Sequence, residues 1–367
     1  MLAITVVLTL IVLISVFTLY FMNKPQFGSI ARGERRELIQ RSPNFRNGQF
    51  QNLSPTPALT EGATVFGVLR EYVRPKNKGI IPPSLLPARK TNLHQLDPND
   101  DVLVWFGHSS YFMQIAGKRI LVDPVLCGYA SPVPFTTRSF KGSDIYCVED
   151  IPDIDYLFIT HDHYDHLDYN TVSALRTRVR KVITGLGVGA HFERWGYKKS
   201  QLVEKDWNQN VKLDDDFVVH TVPTRHFSGR KFSRNKTLWL SFVLMTPNIR
   251  LYIGGDSGYD THFKKIGEQF GPFDLVILEN GQYDKSWKYI HMIPEDVVVA
   301  AGDLNAKRLL PVHWSKFSLA LHPWDDSITR VLKHAKLHNI PVLHPMIGEV
   351  VCLKNPAANI EWWKQMN

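Results

Sequence analysis

The sequence predicts an α/β layered sandwich preceded by a membrane-spanning helix. Three observations carry this. Short β-branched and aromatic runs fall in two groups, helical patterns lie among them, and an apolar stretch at the amino terminus carries no charge.

Residues 1–22 are dominated by Leu, Ile, Val and Phe. At about 1.5 Å per helical residue they reach roughly 33 Å, the thickness of a bilayer's hydrocarbon core. No basic stretch precedes the run and no small-x-small site follows it, so an uncleaved single-pass anchor is expected rather than a signal peptide. Lys24, Arg32, Arg35, Arg36, Arg41 and Arg46 all follow it. The positive-inside rule therefore places the carboxy-terminal part on the cytoplasmic side. Residues 23–98 are rich in Pro, Asn, Gln, Arg and Ser and read as a tether and extended lead-in. Residues 99–367 then form the globular domain.

Within that domain, residues 102–106, 111–115, 119–122 and 156–159 form the first group of expected strands. Residues 217–222, 238–245, 249–253, 275–278 and 309–312 form the second, and helices are expected at 170–180 and 294–301. A chain of 367 residues that is 44% hydrophobic and 21% charged can bury a sizeable core. The net charge of +8 suits anionic lipid or phosphate. Its basic residues are scattered, without the aromatic-basic groove of a nucleic-acid binder, so no nucleic-acid partner is expected. Cys127, Cys147 and Cys352 have no Cys-x-x-Cys spacing and read as free thiols.

The chemistry concentrates in His161-Asp162-His163-Tyr164-Asp165-His166, directly after an expected strand. Imidazoles and carboxylates suit borderline divalent cations, and alternation sends His161 and His163 to one side of an extended chain. Burying so many titratable groups without an ion would be costly. Downstream, His226 and His313 follow expected strands, and Asp256 lies in a turn with Gly254, Gly255 and Gly258, which favours close backbone approach. A single His at a strand end is unremarkable until other ligands converge on it.

His-x-His-x-Asp-His after a strand resembles the signature of the metallo-β-lactamase superfamily. The resemblance extends from about residue 104 to 348, through Trp105-Phe106-Gly107-His108, Leu121-Val122-Asp123-Pro124, Gly254-Gly255-Asp256-Ser257-Gly258-Tyr259, Gly271-Pro272-Phe273-Asp274 and Val312-His313-Trp314. Along these segments the chain is similar to the phospholipases D that hydrolyse N-acylphosphatidylethanolamine and to their bacterial relatives. The resemblance implies an αβ/βα four-layer sandwich with two divalent ions at one edge, Zn²⁺ first, with Mn²⁺ or Fe also accepting the set. It assigns His161, His163 and His226 to one ion, Asp165, His166 and His313 to the other, and Asp256 with a shared hydroxide to both. That hydroxide would attack phosphorus in a membrane phospholipid.

By the same resemblance, Asp165 belongs to the catalytic apparatus, and His291 contacts substrate and stabilises charge or supplies the leaving-group proton. Asp123 would brace the metal loop, with His108 serving similarly. Residues 129–140, combining Pro132, Pro134, Phe135, Arg138 and Phe140, would meet the bilayer interface. Leu278-Glu279-Asn280-Gly281-Gln282-Tyr283 departs from the animal enzymes and leaves acyl preference open. The competing expectations are a lactonase or hydrolase of a soluble phosphorylated small molecule, and a tethered scaffold without catalysis.

Overall fold

A computed structural model describes residues 2–75, 77–214, 216–357 and 360–366. Two β-sheets face one another. The seven-stranded sheet runs, in spatial order, Val350–Cys352, Val102–Trp105, Tyr111–Ile115, Lys118–Val122, Ile154–Ile159, Val179–Gly185 and Leu202–Lys205. Its first three pairings are antiparallel and its last three parallel. The six-stranded sheet runs Leu309–Val312, Leu275–Glu279, Arg250–Ile253, Ser241–Met245, Phe217–Val222 and Gln209–Asp214.

Strand alternation explains the layering. Tyr156 and Phe158 point inward, where they join Phe242, Leu244, Ile253 and Ile277 of the other sheet in one core between the sheets. Leu157 and Ile159 point outward into a second core with Val172, Leu175 and Phe192. Those three residues come from the helices Tyr169–Leu175 and Gly189–Arg194. A third core covers the outer face of the six-stranded sheet with His262–Phe270, Pro294–Asp303 and Asp326–Leu337. Helix, sheet, sheet and helix are therefore the four layers of an αβ/βα sandwich.

Two boundaries differ from the sequence reading by three residues or more. The helix expected over 170–180 spans only Tyr169–Leu175, begun by Asp168, whose carboxylate accepts from the backbone N–H of Asn170 and Thr171. After a turn, Val179 starts a buried parallel strand, where its β-branched side chain fits better than in a helix. The strand expected over 238–245 is regular only over Ser241–Met245.

The helix Leu2–Met22 is long and apolar enough to cross a membrane and buries none of its residues. Residues 23–98 do more than connect it to the domain. They include helices Gly33–Arg41 and Val65–Val73, and their Phe27, Ile39, Phe50, Leu86 and Leu93 are buried. Packing thus continues through the segment expected to be a tether.

Candidate metal centre

Strands from both sheets end at the same edge, and each site residue follows one of these ends. Ile154–Ile159 delivers residues 161–166, Phe217–Val222 delivers His226, Arg250–Ile253 delivers Asp256, and Leu309–Val312 delivers His313. The Asp256 turn needs its glycines. A Cβ on Gly255 would lie 2.8 Å from Leu240 O and 2.9 Å from Thr160 Cβ, and one on Gly258 would lie 2.0 Å from Tyr289 O.

All seven expected ligands converge. His163 Nδ1 lies 2.9 Å from His161 Nε2 and 3.3 Å from His226 Nε2. Beside this trio, Asp165, His166, His313 and His108 place ligand atoms within 4.8 Å of one another. Asp256 lies between the groups. Its Oδ2 is 3.2 Å from His166 Nε2, 3.7 Å from His226 Nε2 and 3.8 Å from His161 Nε2, and its Oδ1 is 3.3 Å from His313 Nδ1.

Hydrogen bonds at the rear of the rings orient their lone pairs. His226 Nδ1 donates to Ile290 O over 2.9 Å, so Nε2 presents a lone pair to the centre. Thr160 Oγ1 donates to Asp123 Oδ2 over 2.6 Å and therefore accepts from His161 Nδ1 at 3.0 Å, which leaves His161 Nε2 unprotonated. His166 Nδ1 donates to Asp123 Oδ2 over 2.8 Å. Asp123 is thus the brace that the resemblance implied, and it serves two ligands.

The trio turns at least two lone pairs on one another, and His163 Nδ1 has at most one proton to share between them. In the other group His166 Nε2, His313 Nε2 and Asp256 Oδ1 are buried without a hydrogen-bond partner. Such clustering is unfavourable for bare side chains and is satisfied by cations. The donor set therefore fits divalent metal.

Electrostatics agree. Burial pushes His161, His226 and His313 well below the ordinary imidazole range, toward the neutral form that ligates. Burial would raise Asp165 and Asp256, but the surrounding histidines, His166 foremost, outweigh it and hold both carboxylates ionised. His166 carries the opposite shift: burial opposes its charge, yet the pull of Asp256, Asp165 and Asp123 outweighs burial. A cation at the same place answers that pull.

His108 sits closer than a general brace would. Its Nε2 is 3.0 Å from Asp165 Oδ2 and its ring centroid is 4.0 Å from that of His313. Reciprocal backbone bonds, His313 N to His108 O and His108 N to Trp314 O, both 2.9 Å, join the two loops. Asp162 points away from the centre, accepting from Gly229 N, Thr237 Oγ1 and His191 Nε2. The alternation expected at His161 and His163 is therefore present.

His291 is at the rim, its ring 5.0 Å from His226 and 5.3 Å from His313. Beneath it lies a residue the motif does not flag. Glu279, 1% exposed, brings Oε2 to 3.3 Å from His291 Nδ1 and accepts from Met292 N over 2.6 Å. Burial pushes this carboxyl up to about 7 against the pull of His291. Burial lowers His291, but Glu279 foremost, with Asp256 and Asp165, outweighs it and the net shift is upward. The available sequence signal is a lone acid at the end of an apolar strand, Leu275–Glu279. Asn52, in the lead-in, is also unflagged. Its side chain bonds both His226 O and His226 N.

Residues 118–314 match the family described as beta-lactamase superfamily domain. An uncharacterised protein of Mycobacterium tuberculosis is 38% identical over 333 residues, 90% of this chain and 89% of its own length. N-acyl-phosphatidylethanolamine-hydrolyzing phospholipase D 1 of Caenorhabditis elegans is 29% identical over 298 residues, 74% of this chain and 80% of its own. Among solved structures, Igni18, a metallo hydrolase of Ignicoccus hospitalis, superposes with a TM-score of 0.54 at 19% identity, covering 69% of this chain and 98% of its own, which is a likeness of fold. The chain belongs to the metallo-β-lactamase superfamily and is a metal-dependent hydrolase of it.

Proposed function

We propose that the protein is a phospholipase D-type phosphodiesterase acting on a membrane phospholipid, with N-acylphosphatidylethanolamine as the first candidate. The observation that carries the reading is Asp256 lying between two groups of inward-facing ligands. His161, His163 and His226 would hold one cation, Asp165, His166 and His313 a second, and Asp256 would reach both; Zn²⁺ suits the mixture of imidazole and carboxylate. When bound, such cations would lower the pKa of a coordinated water and neutralise charge on a phosphodiester's non-bridging oxygens.

The remaining work falls to the chain. Asp123 and Ile290 O hold the imidazoles in the tautomers that face inward. His108 donates to Asp165 and keeps that carboxylate turned to the centre. Glu279 favours protonated His291, whose outer nitrogen then gives its proton to the leaving alkoxide as the phosphorus–oxygen bond breaks. Atoms balance: water supplies the new phosphate oxygen, and the N-acylethanolamine leaves as its alcohol. The relationship to the nematode phospholipase supports the substrate class, and the apolar helix Leu2–Met22 supports a membrane location, with the basic residues after it favouring a cytoplasmic domain.

Hydrolysis in ¹⁸O-labelled water tests the reading. Attack on phosphorus places the label in phosphatidic acid. Label in a fatty acid or in a ring-opened lactone, with unlabelled or absent phosphatidic acid, would instead move the assignment to a carbon centre.

A further inference from the structure

Apart from the membrane span, one α-helix among the described residues buries nothing: Val65–Val73. It is well formed, since Thr64 caps it by accepting from Gly67 N over 3.0 Å, so its exposure is not fraying. At about 100° per residue, Val65, Leu69, Val73 and Phe66 occupy one stripe roughly 100° wide. Phe66 is 78% exposed and Val73 79%. Arg70 borders the stripe on one side, and Arg74 follows at the carboxy-terminal cap. A nine-residue helix with a bare apolar face and basic flanks has the composition of one lying in a membrane interface.

Its position supports that. Tyr72 donates to Leu319 O, Asn77 to Leu321 O, and Ser286 O accepts from Thr60 N, so the helix is fastened to loops that follow His313 and precede His291. The residues that follow the membrane span are fastened against the metal loop and its neighbours. Trp195 Nε1 donates to Pro25 O over 2.8 Å, the Arg230 guanidinium donates twice to Gln26 O, and Phe27 packs edge-on against Tyr164 with centroids 6.3 Å apart. Beside that junction Phe232 is 88% exposed, between Lys231 and Arg234. Two exposed apolar-basic features are therefore tied to segments beside the ligand-bearing loops, one of them next to the residues that follow the span.

We propose that Val65–Val73 and Phe232 form a bilayer-docking face that seats the metal centre on the surface of the membrane holding the span. The occupant is the lipid interface: the apolar side chains enter the headgroup–acyl boundary and Arg70, Arg74, Lys231 and Arg234 meet anionic headgroups. This rests on the membrane location proposed above. It adds an orientation, in which the head group of a lipid in the same leaflet reaches the metals without the lipid leaving the bilayer.

The full chain, with no substitution, is reconstituted in lipid nanodiscs of phosphatidylcholine and phosphatidylglycerol containing a phospholipid with a carbene photoprobe high on its acyl chain. Adducts are mapped by peptide mass spectrometry. The expected result is adducts at residues 65–73 and 231–234 as well as 2–22, several-fold above those at the exposed turn 116–117, which lies at the end of the Lys118–Val122 strand away from Asp123. Adducts confined to residues 2–22 would overturn the proposal. The readout needs no turnover. Adducts at both features without lipid hydrolysis would leave the docking face and remove the substrate, whereas hydrolysis without those adducts would do the reverse.

Discussion

Asp123→Asn tests whether the brace behind the metal loop governs metal affinity. The Asp123 carboxylate accepts three hydrogen bonds: Thr160 N at 2.9 Å to Oδ1, and Thr160 Oγ1 at 2.6 Å and His166 Nδ1 at 2.8 Å to Oδ2. Asparagine keeps the shape but turns one acceptor into a donor. Placed at Oδ1, the amide opposes a backbone N–H that cannot turn away. Placed at Oδ2, it opposes two donors, and His166 must move its proton to Nε2, the atom aimed at the metals. Thr160 Oγ1 would also lose the acceptor that fixes its bond to His161. One substitution thus disturbs a ligand in each group. Loss of such an outer partner weakens metal by about 10- to 100-fold, equivalent to about 1.4–2.7 kcal/mol. The assay is competition against a chromophoric chelator with zinc-loaded protein, with circular dichroism verifying the fold. Unchanged affinity in a folded variant would refute the argument that Asp123 sets the tautomers.

Three further outcomes follow from the same geometry. His291→Ala should lower turnover by about 10²- to 10⁴-fold while leaving metal content unchanged, as measured by kinetics and elemental analysis; loss of metal would make His291 a ligand instead of a proton donor. Arg230→Met removes a buried guanidinium whose donors reach Asp162 O, Leu167 O and Gln26 O. With three carbonyls left short at about 1 kcal/mol each, amides of residues 26–29 should exchange hydrogen markedly faster, and unchanged exchange would mean that this junction is held elsewhere. His262→Gln probes acid sensitivity. Burial pushes the His262 imidazole down to about 4, so its contribution to stability is complete above the unfolded value near 6.5 and is lost as pH falls toward 4. The wild type should therefore lose thermal stability between pH 6.5 and 4.5 more steeply than the variant, and parallel curves would contradict the assignment.

The metal centre is legible because four ligands share one short loop and the other three each follow an apolar run, so local sequence already places them at strand ends. What supports them is harder to see. Glu279 is one acid after a strand, and its importance arises only when the fold brings His291, twelve positions on, against it. Asn52 lies 174 residues from His226, in a segment whose composition suggests a lead-in. Sheet order is hidden for a related reason. Residues 156–159 are apolar on both faces because helices cover one and the second sheet the other, which removes the period-two signal that would show pairing. The opposite case, Gln209–Asp214, is a polar edge strand with little apolar pattern to detect.

The most direct test is release of phosphatidic acid from N-acylphosphatidylethanolamine in detergent micelles, measured for the full chain with and without chelator and beside Asp165→Asn. The expected result is release that chelation abolishes, that added Zn²⁺ restores, and that the variant lacks. Metal-loaded, folded protein that releases no phosphatidic acid would contradict the phospholipase assignment and return the site to a lactone or a soluble phosphorylated substrate.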